Sequence, residues 1–124
     1  MQERRKSVRW TLHETCEATI RSLPKEDSAE RRPLEGHVLD VSREGACLVT
    51  EVTAEQPLEV DREIDLRMAL SDGATIDTRA EVRWVRTEPG RSGYRTGVRF
   101  THVDPANRTK IEQFIAELDQ AFRS

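Results

Sequence analysis

The sequence predicts a mostly β protein, a small antiparallel barrel or sandwich finished by one C-terminal α-helix. Three observations carry this. Segments with period-two apolar alternation recur between residues 11 and 100, the pattern of half-buried strands. Turn sequences separate them, among them Ser71-Asp72-Gly73 and Pro89-Gly90-Arg91-Ser92-Gly93. Beyond Asp104 the apolar spacing changes to that of a helix. A chain of 124 residues is one domain's worth and can bury a core without disulfides or metal.

Residues 1–10 read as a flexible basic arm, with Arg4, Arg5, Lys6 and Arg9 against the single acid Glu3. They are too polar for a core, and Trp10 is the first large anchor. Residues 11–124 form the folded body. From Thr11 to Ile20, Leu12, Cys16, Ala18 and Ile20 alternate with His13, Thr15, Glu17 and Thr19, and Glu14 alone breaks the pattern. Residues 22–33, bracketed by Pro24 and Pro33, lack periodicity and read as a loop. A second strand is expected over Leu34–Val41 and a third over Ala46–Val52, joined like a hairpin at Gly45.

The stretch Ala54–Val60, containing Pro57, is a connection. Ile64, Leu66, Met68 and Leu70 then face one way, Asp65 and Arg67 the other. In the next, longer strand Ile76, Ala80, Val82 and Trp84 form the inner face, with Asp77, Arg79, Glu81 and Arg83 outside, so Trp84 is expected in the interior. Tyr94, Thr96, Val98 and Phe100 continue as the last strand, with Arg95, Gly97 and Arg99 opposite. Asp104 is positioned as an N-cap, with Pro105 at the first helical position. Ile111, Phe114, Ile115, Leu118 and Phe122 fall on one face of a helix over about 104–123, which closes one end or side of the sheet.

The net charge of −3 argues against a general nucleic-acid binder. Basic residues are 17 Arg against 3 Lys. Arginine suits bidentate recognition of phosphate and guanine edges, and the codon usage of a GC-rich genome explains the bias equally well. Cys16 and Cys47 have no metal or redox spacing, as in a reduced cytoplasmic protein. No apolar run approaches a membrane span, and the charged N-terminus lacks the apolar core of a secretory signal. Neither membrane insertion nor export is expected. His13 and Cys16 are expected to face opposite sides of a strand, and His37 and His102 lack spaced partners, so no metal site is expected. There is no nucleophile elbow or phosphate-cradling glycine loop, and Asp104 and Glu112 lie on a helix that reads as structural. The expectation is a non-enzyme without cofactor.

The chemistry concentrates in Val38-Leu39-Asp40-Val41-Ser42-Arg43-Glu44-Gly45. It reads as a strand end and a tight turn. Strict alternation puts Asp40 and Ser42 on one face as a polar shelf, with Leu39 and Val41 on the other. Gly45 permits either a turn or a close backbone approach. A carboxylate such as Asp40 can accept from guanine N1–H and N2–H, and the Ser42 hydroxyl can add a contact to base or phosphate. An arginine fork can donate to guanine O6 and N7 or grip a phosphate. Arg5 and Arg9, four apart on a mobile arm, can therefore clamp a guanine nucleotide against the shelf. The Arg-x-x-x-Arg spacing alone decides nothing, since it recurs at Arg79/Arg83, Arg91/Arg95 and Arg95/Arg99. Asp-x-Ser-x-x-Gly occurs once, and alone it also fits an ordinary turn between strands.

Arg5 and Arg9 followed by Asp40, Ser42 and Gly45 resemble the ligand-binding signature of the PilZ domain family. The strand Val38–Ser42, the strand Ala80–Val85, the stretch Tyr94-Arg95-Thr96-Gly97-Val98-Arg99-Phe100 and the terminal amphipathic helix are similar to the family pattern too. The likeness runs from about Glu3 to Phe122, and the Pro-bounded loop at 22–33 departs from it. The resemblance implies a six-stranded antiparallel β-barrel with a C-terminal helix and a receptor for cyclic di-GMP, a bacterial second messenger. It implies that Arg5 and Arg9 bind guanine and phosphate, that Asp40 and Ser42 bind a guanine, and that Gly45 shapes the turn. It also implies that the arm orders over the ligand and pays its ordering cost then. A basic residue at Arg4 is associated in the family with a stacked ligand pair; otherwise Arg4 is one more solvated arginine. With no output domain in the chain, the output would be an unidentified effector protein. The alternative is a PilZ-like protein–protein interaction module that binds no nucleotide. A barrel for single-stranded nucleic acid ranks last, because the chain is acidic and its few aromatics fall mainly at inward positions.

Overall fold

The computed structural model describes residues 10–11, 16–22, 34–51, 59–70, 73–87 and 93–123. The elements are β1 (Trp10–Thr11), β2 (Glu17–Ser22), β3 (Leu34–Val41), β4 (Gly45–Glu51), β5 (Glu63–Ala69), β6 (Thr75–Thr87), β7 (Gly93–His102) and α1 (Pro105–Arg123). Strands β2 to β7 pair antiparallel in the order β3-β2-β5-β6-β7-β4, and the β3–β4 pairing joins the two ends. The result is a closed six-stranded barrel with one C-terminal helix, as the sequence led us to expect. Closure leaves these six strands without a free edge. The two-residue β1 and the longer β2 run along the same side of β3, β1 beside Asp40 and Val41 and β2 beside residues 34–37.

The interior is filled by the alternate apolar residues of all six strands, including Ile20, Val38, Leu48, Ile64, Met68, Ile76, Val82 and Val98. Ile111 of α1 completes it and is fully buried, while Phe114, Ile115 and Leu118 pack partly buried beside it. Full burial of one such side chain is worth about 1.5–3 kcal/mol, so Ile111 anchors the helix. Asp104 caps it, its Oδ1 accepting the Asn107 N–H at 2.8 Å. Lys110 ties the first turns to the barrel, donating to the Thr75 carbonyl at 3.0 Å.

Three register shifts interrupt the described ladders, and two of them decide which residues of β3 and β6 face inward. In β3, Val38 pairs with Leu48 and Asp40 with Cys47, so Leu39 is an extra residue. Val38 and Val41 are therefore both buried, three positions apart. Leu39 does not share an inner face with Val41, contrary to strict alternation. In β6, Val82 pairs with Val98 and Trp84 with Gly97, leaving Arg83 extra. Trp84 thus turns to the outer wall instead of the interior, and Val85 takes the next inner place opposite Thr96. One inserted residue reverses every later side chain of a strand.

Several outward arginines are ion-paired. Arg67 meets Asp77 at 2.7 Å, Arg79 meets Asp65 at 3.4 Å, and Glu81 receives Arg83 at 2.9 Å and Arg99 at 3.4 Å. Pairs this exposed add little stability. The expectations placed on Leu12 to Thr15, on the 23–33 loop, on Pro57 and on the Phe122 side chain lie outside the described residues.

Candidate ligand site on the outer wall

The turn between β3 and β4 is built by Ser42. Its N–H donates to the Gly45 carbonyl at 2.8 Å. Its Oγ accepts the N–H groups of Glu44 and Gly45, each at 3.2 Å, and lies 3.4 Å from the Gly45 carbonyl, to which it donates. Ser42 is 3% exposed, so it is not displayed beside Asp40 on an open shelf; its hydroxyl sits inside the turn and closes it. This is the local side-chain-to-backbone bonding that serine favours at turns.

Gly45 has a different reason for being glycine. A Cβ there would run into the Val98 carbonyl, because β4 lies against β7 at that point. Of the two readings left open by the sequence, the close backbone approach is the one realised, and the approaching backbone is the barrel's own. The same turn is held from two more sides. Phe100 N–H donates to the Glu44 carbonyl at 2.7 Å, and Arg108 Nη1 of α1 donates to the Arg43 carbonyl at 2.7 Å.

Asp40 stands immediately before this turn, half-buried. It is paired with Cys47, whose neighbours Ala46 and Leu48 are both fully buried in the core, so Asp40 belongs to the outer wall. The row continues through Cys47 to Gly97 on β7 and Trp84 on β6. Cys47 is buried beneath the outer wall and not within the interior cluster. The Trp84 indole covers Gly97 so closely that a Cβ at Gly97 would collide with the ring. The Arg86 guanidinium lies over that ring, 4.9 Å from its centroid, a cation–π distance. Arg86 pairs directly with Arg95 across β6 and β7.

The structure thus brings Asp40, Ser42 and Gly45 together at one end of this row. Arg4, Arg5 and Arg9 lie outside the described residues. The chain enters the barrel beside Asp40, however. Trp10 pairs with Val41 and Thr11 with Asp40, and Arg9 is bonded directly to Trp10.

The outward placement of Trp84 over Gly97 was missed, because alternation assigned the tryptophan to the interior. The adjacent apolar pair Trp84-Val85 was the available signal, since two neighbouring apolar residues mark a break in period-two phase.

Among the described residues no group of three or more His, Cys, Asp or Glu is placed to hold a metal. No helix there is long and apolar enough to cross a membrane. A separate shallow depression of about 480 Å³ is lined by β2, β5 and β6, with Arg21, Asp65, Arg67, Asp77 and Arg79 around it. None of the residues in the Asp40–Trp84 row lines it. Burial, with a smaller push from Glu17, raises the Cys16 thiol to about 11, which makes it a poor nucleophile.

The structure is a closed six-stranded β-barrel with a C-terminal helix tied to the turn that follows Asp40. The PilZ domain model matches residues 3–117, and the chain belongs to the PilZ domain family. Three solved structures share the fold. The PilZ domain with c-di-GMP of YcgR from Escherichia coli superposes with a TM-score of 0.76 at 18% identity, covering 98% of this chain and 95% of that one. The K. pneumonia MrkH–c-di-GMP complex gives 0.76 at 17%, over 98% of this chain and 55% of that one. The Bacillus subtilis inhibitor of motility MotI/DgrA gives 0.74 at 16%, over 99% and 55%. This chain therefore spans about half the length of the latter two. No curated protein matches the sequence.

Proposed function

We propose that this domain is a cytoplasmic receptor for cyclic di-GMP. The observation that carries the reading is the pairing of β1 with Asp40 and Val41. It tethers the Arg5/Arg9 arm to the strand that bears the Asp-x-Ser-x-x-Gly turn. Trp10, bonded directly to Arg9, thereby lies beside Val41 at the start of that turn. The c-di-GMP complexes of YcgR and MrkH share this fold and support the choice of ligand.

In this reading Arg9 and Arg5 use their planar forks on guanine O6/N7 and on a phosphate. Asp40 accepts from N1–H and N2–H of one guanine. Ser42 and Gly45 act by fixing the turn, Ser42 through its two accepted N–H bonds and Gly45 by letting β4 meet β7. Arg4 would contact a second, stacked ligand molecule. Ordering of the 1–10 arm over the outer wall changes the surface offered to an effector protein, and the cost of that ordering is met at binding.

Calorimetric titration of the intact chain with cyclic di-GMP, with GMP and cyclic di-AMP as controls, tests this. Saturable heat confined to cyclic di-GMP, lost in Arg9→Ala, is expected, and a stoichiometry of two would place Arg4 at a ligand pair. No heat from a folded sample would sink the receptor reading and leave an interaction module that binds no nucleotide.

A further inference from the structure

We propose that Arg108 is a positioning residue of the cyclic di-GMP site, and that through it ligand binding tightens α1. The inference rests on the cyclic di-GMP reading above and names the element that registers binding.

The helix is attached to the barrel in two different ways. Three contacts are remote from the Asp40 turn and the arm. Asn107 Oδ1 accepts the Asp77 N–H at 2.9 Å, Lys110 Nζ donates to the Thr75 carbonyl at 3.0 Å, and Ile111 is fully buried in the interior. These hold the first two turns of α1 at the start of β6. Two other contacts reach the candidate site. Arg108 Nη1 donates to the Arg43 carbonyl at 2.7 Å, within Asp-x-Ser-x-x-Gly. The helix also lies against β1, the strand that joins the arm to Asp40 and Val41. It therefore touches both the turn and the base of the arm.

The turn has little slack of its own. Ser42 Oγ already accepts the N–H groups of Glu44 and Gly45, and the Glu44 carbonyl accepts the Phe100 N–H. The Arg43 carbonyl between them is held by the helix through a charged donor, which makes the stronger kind of hydrogen bond. Beyond Ile111 the helix side chains Phe114, Ile115 and Leu118 are only partly buried, so this half of α1 has freedom left to lose. A ligand that engages Asp40 and orders the arm fixes the turn and β1 together, and α1 leans on both. Coupling of this kind is reciprocal: what the ligand adds to the helix, the helix adds to the ligand.

The test is hydrogen exchange of the α1 amides at 109–120 in the intact chain, with and without saturating cyclic di-GMP. The β5 amides, away from the site, report global opening. Wild type is compared with Arg108→Ala, Arg108→Lys and Lys110→Ala. The last loosens the helix from β6 and leaves the Arg43 contact in place, so it separates tethering from positioning. Relative to β5, ligand should slow α1 exchange about fivefold in wild type and in Lys110→Ala, and not in Arg108→Ala. Calorimetry should show about fivefold weaker binding in Arg108→Ala, part of it recovered in Arg108→Lys, and wild-type affinity in Lys110→Ala. Exchange that ignores the ligand in a wild type that binds it, or equal weakening by Arg108→Ala and Lys110→Ala, would overturn the coupling alone. No binding by the wild type would instead overturn the receptor reading, and the coupling with it.

Discussion

The guanidinium of Arg108, one turn into α1, donates a 2.7 Å hydrogen bond to the main-chain carbonyl of Arg43, inside the turn that follows Asp40. The C-terminal helix therefore grips the candidate site directly, 65 residues away in sequence. Arg108→Ala should loosen this turn without dissolving the barrel. A stability loss of about 1 kcal/mol is expected, together with faster hydrogen exchange of the Gly45 amide, which Ser42 Oγ accepts. Unchanged exchange would mean that Ser42 and the strand ladder hold the turn alone.

Trp84 and Gly97 are fitted to each other. Replacing Gly97 by Val puts branched carbons where the indole ring lies, and the ring must leave. Overpacking of this kind costs roughly 1–3 kcal/mol. In a Trp10→Phe background, Gly97→Val should also shift the remaining tryptophan emission to the red as Trp84 becomes wetter. A variant of unaltered midpoint and emission would contradict the packing described here.

Asp40 should separate binding from folding. Asp40→Ala removes the carboxylate at the head of the outer row while leaving the Ser42 turn intact. A tenfold to hundredfold loss of cyclic di-GMP affinity, roughly that of a lost charged hydrogen bond, is expected from a sample shown to be folded by its urea transition. Retained affinity would remove Asp40 from the site.

The Asp104 carboxyl is held below its usual range, chiefly by the backbone N–H of Asn107 and then by the Asn107 side chain. A depressed carboxyl contributes stability that is complete above its unfolded value and is lost as pH falls through its folded value. Asp104→Ala should therefore lower the thermal midpoint by a few degrees near neutrality and by less in acid, where the native cap is itself protonated. An equal effect at both pH values would show that the ionised cap contributes nothing.

Burial drives the Cys16 thiol the other way, from 9.0 to about 11. Its contribution to stability is present below the unfolded value and declines as pH rises towards about 11. In a Cys47→Ala background at pH 8, a thiol reagent should modify Cys16 only as fast as the protein opens, and at once in denaturant. Rapid modification of the folded protein would show the thiol to be accessible.

Much of the barrel was legible because period-two alternation is a local consequence of the strand backbone. Leu34–Val41 was bounded correctly, and Ile64, Leu66 and Met68 face inward as the pattern required. The helix was equally legible, since an Asp-Pro start and apolar spacing of three and four are also local. The Asp40, Ser42 and Gly45 motif was visible as a motif, but the division of labour inside it was not. That Ser42 is turned into its own turn depends on two backbone N–H groups which only the folded turn aims at its Oγ.

What the sequence by itself determined was the mostly β run of alternating strands, the terminal helix and the single Asp-x-Ser-x-x-Gly turn, because each is set by residues close together along the chain. What only the tertiary structure decided was which wall each side chain occupies past Leu39 and Arg83, and hence that Trp84 looks outward in one row with Asp40. A bulge is the insertion of one residue relative to a partner strand. The partners here are β4 and β7, and the apolar pattern of one strand does not record where its partner is a residue short.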